Sequence, residues 1–210
     1  MTEPFTDVEQ TNVDCSPSAI ASEGHLPVIV SGALLWLVRN FFVSEDIIMR
    51  PSLRGYVWNA VPEQSKIYIG MAEAWNPKTV QQRPAVLIKR NLFGSRRYVI
   101  GDAEKTGSPE SFSRLLSYQY GIICISKSSV ECEELATEVY FKLMQLSPVI
   151  KDDLGLGQFD ALDVGSMTKI PDAQDCWQNT ITVGMSAVYG WTIQSLEPLI
   201  SGINLRISTE

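Results

Sequence analysis

Thr180-Ile181-Thr182-Val183-Gly184-Met185-Ser186-Ala187-Val188-Tyr189-Gly190-Trp191-Thr192-Ile193 alternates apolar residues with small or polar ones. Ile181, Val183, Met185, Ala187, Tyr189, Trp191 and Ile193 share one face; the other is small or polar except at Val188. A period of two over about fourteen residues predicts a long strand with one buried face. Just upstream, Pro171 to Asn179 reads as a polar loop and 159–170 as a further strand. The Gly-bearing link Asp152-Asp153-Leu154-Gly155-Leu156-Gly157 precedes it.

Farther upstream, Ser128 with Glu131 three residues on has the form of a capping box, in which side chains satisfy orphan backbone N–H groups at a helix start. Cys132, Leu135, Ala136, Val139, Leu143 and Leu146 follow on one face, with Glu131, Glu133, Glu134, Glu138 and Lys142 assigned largely elsewhere. Pro148 removes a backbone donor, so the predicted helix spans 129–146. A second helix is predicted at 30–43 from Leu34, Leu35, Leu37, Val38, Phe41 and Phe42, with Ser44-Glu45-Asp46 as its stop.

Between the helices, 84–89 and 97–100 read as strands joined by a polar link from Arg90 to Arg96, and 118–126 reads as a third strand. Segments 56–58 and 66–71 read as short extended pieces among Pro51, Pro62 and Pro77. Together these elements predict an α+β fold: a mixed, mainly antiparallel sheet flanked by helices. The C-terminal run Leu196 to Ile207, interrupted by Pro198 and Gly202, reads as a short helix followed by an edge strand.

The chain has 210 residues and a formal charge of -7. Residues 1–25 hold five acids (Glu3, Asp7, Glu9, Asp14, Glu23) and no Lys or Arg, which predicts a flexible acidic arm ahead of a single domain, 26–210. The domain itself keeps 17 basic and 19 acidic residues and is nearly neutral. Without clustered basic charge over a large face, tight binding to nucleic acid is not expected. The apolar stretch Leu26 to Val43 approaches the length of a membrane span, but Arg39 and Asn40 interrupt it, so a core or interface helix is the expectation. No basic n-region of a secretory signal precedes Arg39, which predicts synthesis in a reducing cytoplasm without disulfides.

Cys15, Cys124, Cys132 and Cys176 are scattered without a C-x-x-C, and His25 is the single histidine, so no metal site and no cofactor are expected. Gly155-Leu156-Gly157 follows a helix rather than a strand and lacks the third glycine of a dinucleotide loop. Lys105-Thr106-Gly107 has no S-x-x-K partner. Cys124 among isoleucines and Cys132 on an apolar face read as small buried hydrophobes. No catalytic residue emerges, and a non-enzymatic role is expected. The candidate contacts are Lys89, Arg90, Arg96 and Arg97 around Leu92 and Phe93, a composition suited to pairing with a partner's carboxylates, with Asp152 and Asp153 as further candidates.

The order of a helix, the run Gln82 to Ile88, the strand Gly121 to Ser126, the helix start Ser129 to Ala136 and strands ending in Val188-Tyr189-Gly190-Trp191 resembles the tail terminator and neck proteins of long-tailed bacteriophages. The resemblance covers about residues 28–195. It implies a structural virion protein assembled in the host cytoplasm, a ring, usually a hexamer, that caps the tail tube and ends its polymerisation. The implied partners are other copies of itself, the tail tube protein, the head–tail connector protein and the sheath, with DNA passing through without specific binding and no membrane. A head-completion or stopper protein of the connector is the alternative, and a small ligand-binding α+β domain a third. The arm and the long 44–82 segment depart from the smaller terminators.

Overall fold

A computed structural model describes residues 26–76, 84–96, 110–171 and 173–193. The arm read at 1–25, the strand read at 97–100 and the C-terminal run 196–207 lie outside them. The elements are α1 (Leu26–Phe41), β1 (Tyr68–Met71), β2 (Ala85–Arg96), β3 (Glu110–Ser126), α2 (Ser129–Asp153), β4 (Gln158–Val164), β5 (Thr168–Ile170) and β6 (Ala173–Ile193). They form a mixed six-stranded sheet of order β1-β2-β3-β6-β4, with β5 also on β6. Only β1 and β2 run parallel; the other pairs are antiparallel, so the predicted α+β class holds.

The alternating run is the C-terminal part of β6, and its period sets the core. Ile181, Val183, Met185 and Ala187 point into one cluster with Tyr118, Tyr120, Ile122, Cys124, Val86 and Ile88. Both helices cover this face: α1 brings Val30, Leu34 and Val38, and α2 brings Leu135, Val139 and Leu143, all at most 1% exposed. Burying each such side chain contributes about 1.5–3 kcal/mol. The opposite face has a smaller cluster of Ala85, Leu87, Ile125, Ile170 and Cys176, partly covered by Ala72 and Trp75.

The strands are longer than the helix layer. Strand β6 has 21 residues and helix α2 has 25. At the usual rise per residue of each element, the strand extends over about 70 Å and the helix over about 37 Å. Beyond Ile88 of β2 and Ser186 of β6, each of these strands keeps only β3 as a described partner. From Lys89 to Gly94 the sheet is still four strands wide, with β4 on the far side of β6; the edges left uncovered among the described residues are one side of β2 from Lys89 onward and one side of β6 from Ala187 onward.

Several boundaries differ from the sequence reading. Arg90–Arg96 is not a hairpin link: it continues β2, paired with Leu115 to Tyr120. A bulge between Arg90 and Leu92 absorbs Asn91, whose side chain lies against Gly121, where a Cβ would stand 3.0 Å from Asn91 Nδ2. The polar residues 173–179 belong to β6, held by β3 and β5, and the strand read at 159–170 is two strands, β4 and β5. Of the two extended pieces, only 68–71 is a strand.

The second helix does not stop before Pro148. It runs through the proline to Asp153, although Pro148 cannot donate to the Met144 carbonyl. Ile150, 7% exposed, and the packing of Leu154 and Leu156 behind it offset that lost bond. Gly155 at φ 59 then ends the helix in the left-handed conformation that glycine adopts without strain. At the other end Ser128 Oγ accepts from Glu131 N at 3.4 Å, but the Glu131 carboxylate does not reach back to Ser128 and turns to Tyr56 and Ser126. Only half of the capping box forms.

Val139→Ile should be tolerated, whereas Val139→Asp places an unpaired charge between α2 and the sheet and should cost several kcal/mol. A Val139→Asp protein that melts cooperatively at the wild-type midpoint would contradict this core assignment.

Candidate functional site

Glu138 and Lys142 are corrections to the amphipathic reading of α2: both are buried, 0% and 5% exposed, rather than on a solvated face. Glu138 accepts the backbone N–H of Met49 at 2.8 Å and that of Arg50 at 3.2 Å. Lys142 Nζ lies 3.3 Å from Glu138 and donates to the carbonyls of Phe41 at 2.9 Å and Ile47 at 2.8 Å. The Phe41 carbonyl is among the last four of α1, which lack intrahelical donors and form the negative end of the helix dipole. The ammonium also sits 5.5 Å from the Phe41 ring centroid, within the range of a cation–π contact. Burial lowers the pKa of Lys142, opposed by Glu138.

One turn before Glu138, Glu134 accepts Ser52 Oγ at 2.7 Å, and two turns before it Glu131 accepts the hydroxyls of Tyr56 and Ser126. The Tyr56 hydroxyl is pushed up to about 12 by its hydrogen bond to Glu131, then by burial. The acidic side of α2 thus holds the 44–58 segment in place. Cys132 Sγ donates to the Cys124 carbonyl at 3.3 Å, and burial pushes the Cys124 thiol well up and that of Cys132 up to about 11. Neither has the lowered pKa of a reactive thiolate. Among the described residues no group of three His, Cys, Asp or Glu could hold a metal ion, and no helix is long and apolar enough to cross a membrane.

The predicted contact residues do not form one cluster. Register places Arg90 and Phe93 opposite Tyr120 and Tyr118, on the helix-covered face, and Lys89 opposite Gly121 on the other. Phe93 stacks on Tyr118 at 5.1 Å between centroids and remains 49% exposed. Lys89 borders a hollow of about 250 Å³ with Trp75, Leu87 and Ile123. Arg96 lies in β2 opposite Leu115, and Arg97 is outside the described residues. Asp152 and Asp153 are not in a link but in the last turn of α2, at its negative end.

Asp153 borders the feature that sequence reasoning missed, an apolar groove of about 330 Å³ between α1 and the C-terminal turns of α2. Trp36, Leu37, Leu146 and Val149 line it, with Trp36 68% and Val149 53% exposed. Trp36 follows the apolar residues of α1 without falling on their buried stripe, a signal that the composition of that helix hid. No protein-family model matches the chain, and no curated protein sequence matches it.

Glu138→Ala would strand the Lys142 charge and two backbone N–H groups, and should cost about 3–5 kcal/mol. The loss should be less than additive with Lys142→Met, read by urea unfolding of both single variants and the double. Tyr56 supplies a pH signature. Its pKa is raised in the fold, so its contribution is complete below about pH 10, the ordinary tyrosine value, and is lost as pH rises toward 12. The stability difference between wild type and Tyr56→Phe should therefore shrink between pH 9 and about 12. A constant difference would exclude the Tyr56–Glu131 bond as its source.

Proposed function

We propose that the chain is a structural subunit of a bacteriophage neck, a tail terminator that closes into a ring, caps the tail tube, ends its polymerisation and offers the head connector a docking surface. The observation that carries the reading is that the sheet leaves two unlike edges uncovered among the described residues, β2 from Lys89 and β6 from Ala187. A ring is built by head-to-tail contacts, which join two different surfaces of the same chain. The β2 edge bears Lys89, Arg90 and Arg96, and Leu92 and Phe93 are about half exposed, whereas β6 offers Val188, 49% exposed, on a largely uncharged run. Strand edges with unpaired N–H and C=O groups are adhesive. The sequence resemblance points the same way.

In solution the ring predicts native masses that are multiples of 23.3 kDa. Tails assembled without the protein should be abnormal in length. Tails of normal length that fail to join heads would replace the terminator with a stopper of the connector. Lys89 and Arg90 are both exposed. Lys89→Glu with Arg90→Glu should therefore change stability by under about 0.5 kcal/mol each. Charge reversal at an interface costs far more than at a free surface. The same variant should accordingly fall to a single species of 23.3 kDa. Multimers of wild-type size in this variant would move the contact away from the β2 edge.

A further inference from the structure

The groove between α1 and α2 leaves a tryptophan and a valine more than half exposed beside Leu37 and Leu146. A concave apolar strip between two helices fits the apolar side of a third short amphipathic segment, anchored at positions i, i+3, i+4 and i+7. The chain carries one such set outside the described residues: Leu196, Leu199, Ile200 and Ile203. Pro198 falls within the first turn of this set, where proline is tolerated. The charges agree. Asp152, Asp153 and the carbonyl end of α2 outweigh Lys151 at this end of the groove, and Arg206, three residues past Ile203, is the single cation of 194–210, at the opposite end of the set from Glu197. The N-terminal residues 1–25, with five acids and no base, are the wrong sign for that rim.

Geometry decides whose segment it is. Ser147 Oγ donates to the Phe159 carbonyl at 2.8 Å, and Phe159 pairs with Met185, so the Leu146 end of the groove, where Leu196 sits when Arg206 is at Asp153, lies at the level of Met185. Ile193 stands eight residues farther along β6, which at the strand rise is about 27 Å away. Three chain steps from Ile193 to Leu196 cover at most about 10 Å, so Leu196 of the same chain falls well short of the groove. We infer that residues 196–206 of one subunit seat in the α1–α2 groove of the next, between Trp36 and Val149 and over the buried Leu34 and Ile150, with Asp153 facing Arg206. This rests on the ring reading and names a contact within it.

The test uses full-length chains. Trp36→Glu in the groove, and Leu199→Asp with Ile200→Asp in the segment, should each reduce the native mass from a multiple of 23.3 kDa to 23.3 kDa, with the melting midpoint of the exposed Trp36 variant nearly unchanged. In a Cys15→Ser background, a Val149→Cys chain with one tag mixed with an Ile200→Cys chain with another should give, on mild oxidation, a disulfide-linked pair containing both tags. A disulfide that forms only within a chain carrying both cysteines would overturn the inference. So would a multimeric wild type whose mass neither variant changes, and that outcome leaves the ring reading standing. A monomeric wild type removes the ring reading itself, and this inference with it.

Discussion

Lys142 and Glu138, one helical turn apart on α2, are the point at which the helix layer is tied to the long segment that follows α1. Two charges taken out of water cost several kcal/mol each unless attraction and hydrogen bonds offset the loss. Here the offset comes from backbone: two N–H groups on the carboxylate and two carbonyls on the ammonium, one of them at the end of α1. The pair therefore specifies geometry more than it adds stability. It fixes where α1 ends, which way the chain turns at 42–50, and how α1 and α2 lie beside each other to leave the groove between them.

With the helices fixed on one face, the sheet divides into a covered body and the stretch of β3 and β6 that continues beyond Ser186 without β4. In the body, Tyr118, Tyr120, Ile122, Ile181 and Val183 are shielded by both helices. At the rim of the sheet Phe93, packed on Tyr118, and Val188, the one large apolar residue on the other face of the β6 alternation, stay about half exposed. The apolar period in the β6 sequence thus continues to Ile193, beyond the last β6 residue paired with β4. The groove is the second surface of this kind, built from the outer side of α1 rather than from a strand.

Strict periodicity made most of the fold legible. The β6 alternation and the Leu135, Val139 and Leu143 stripe identified the two principal layers because each repeats the period of its element without interruption. What was hidden lay where a residue type is used against its usual preference. Pro148 inside a helix, polar 173–179 inside a strand, and Glu138 with Lys142 inside the core all depend on partners distant in sequence. The contact residues suffered in the same way: Arg90 and Phe93 read as a loop tip because the bulge at Asn91 and the facing tyrosines of β3 are invisible locally. Trp36 was concealed by the apolar composition of its own helix.

The basic residues of the β2 edge also bear on which associations are discouraged. An uncovered strand edge is a template for indiscriminate aggregation, and natural sheets guard such edges with charge, lysine above all. Lys89 and Arg90 place cations on the strand, so two β2 edges meeting there antiparallel would set like charges against each other. Self-pairing of β2 is therefore disfavoured. The same residues thus act as gatekeepers for newly made chains, guarding the edge against indiscriminate pairing.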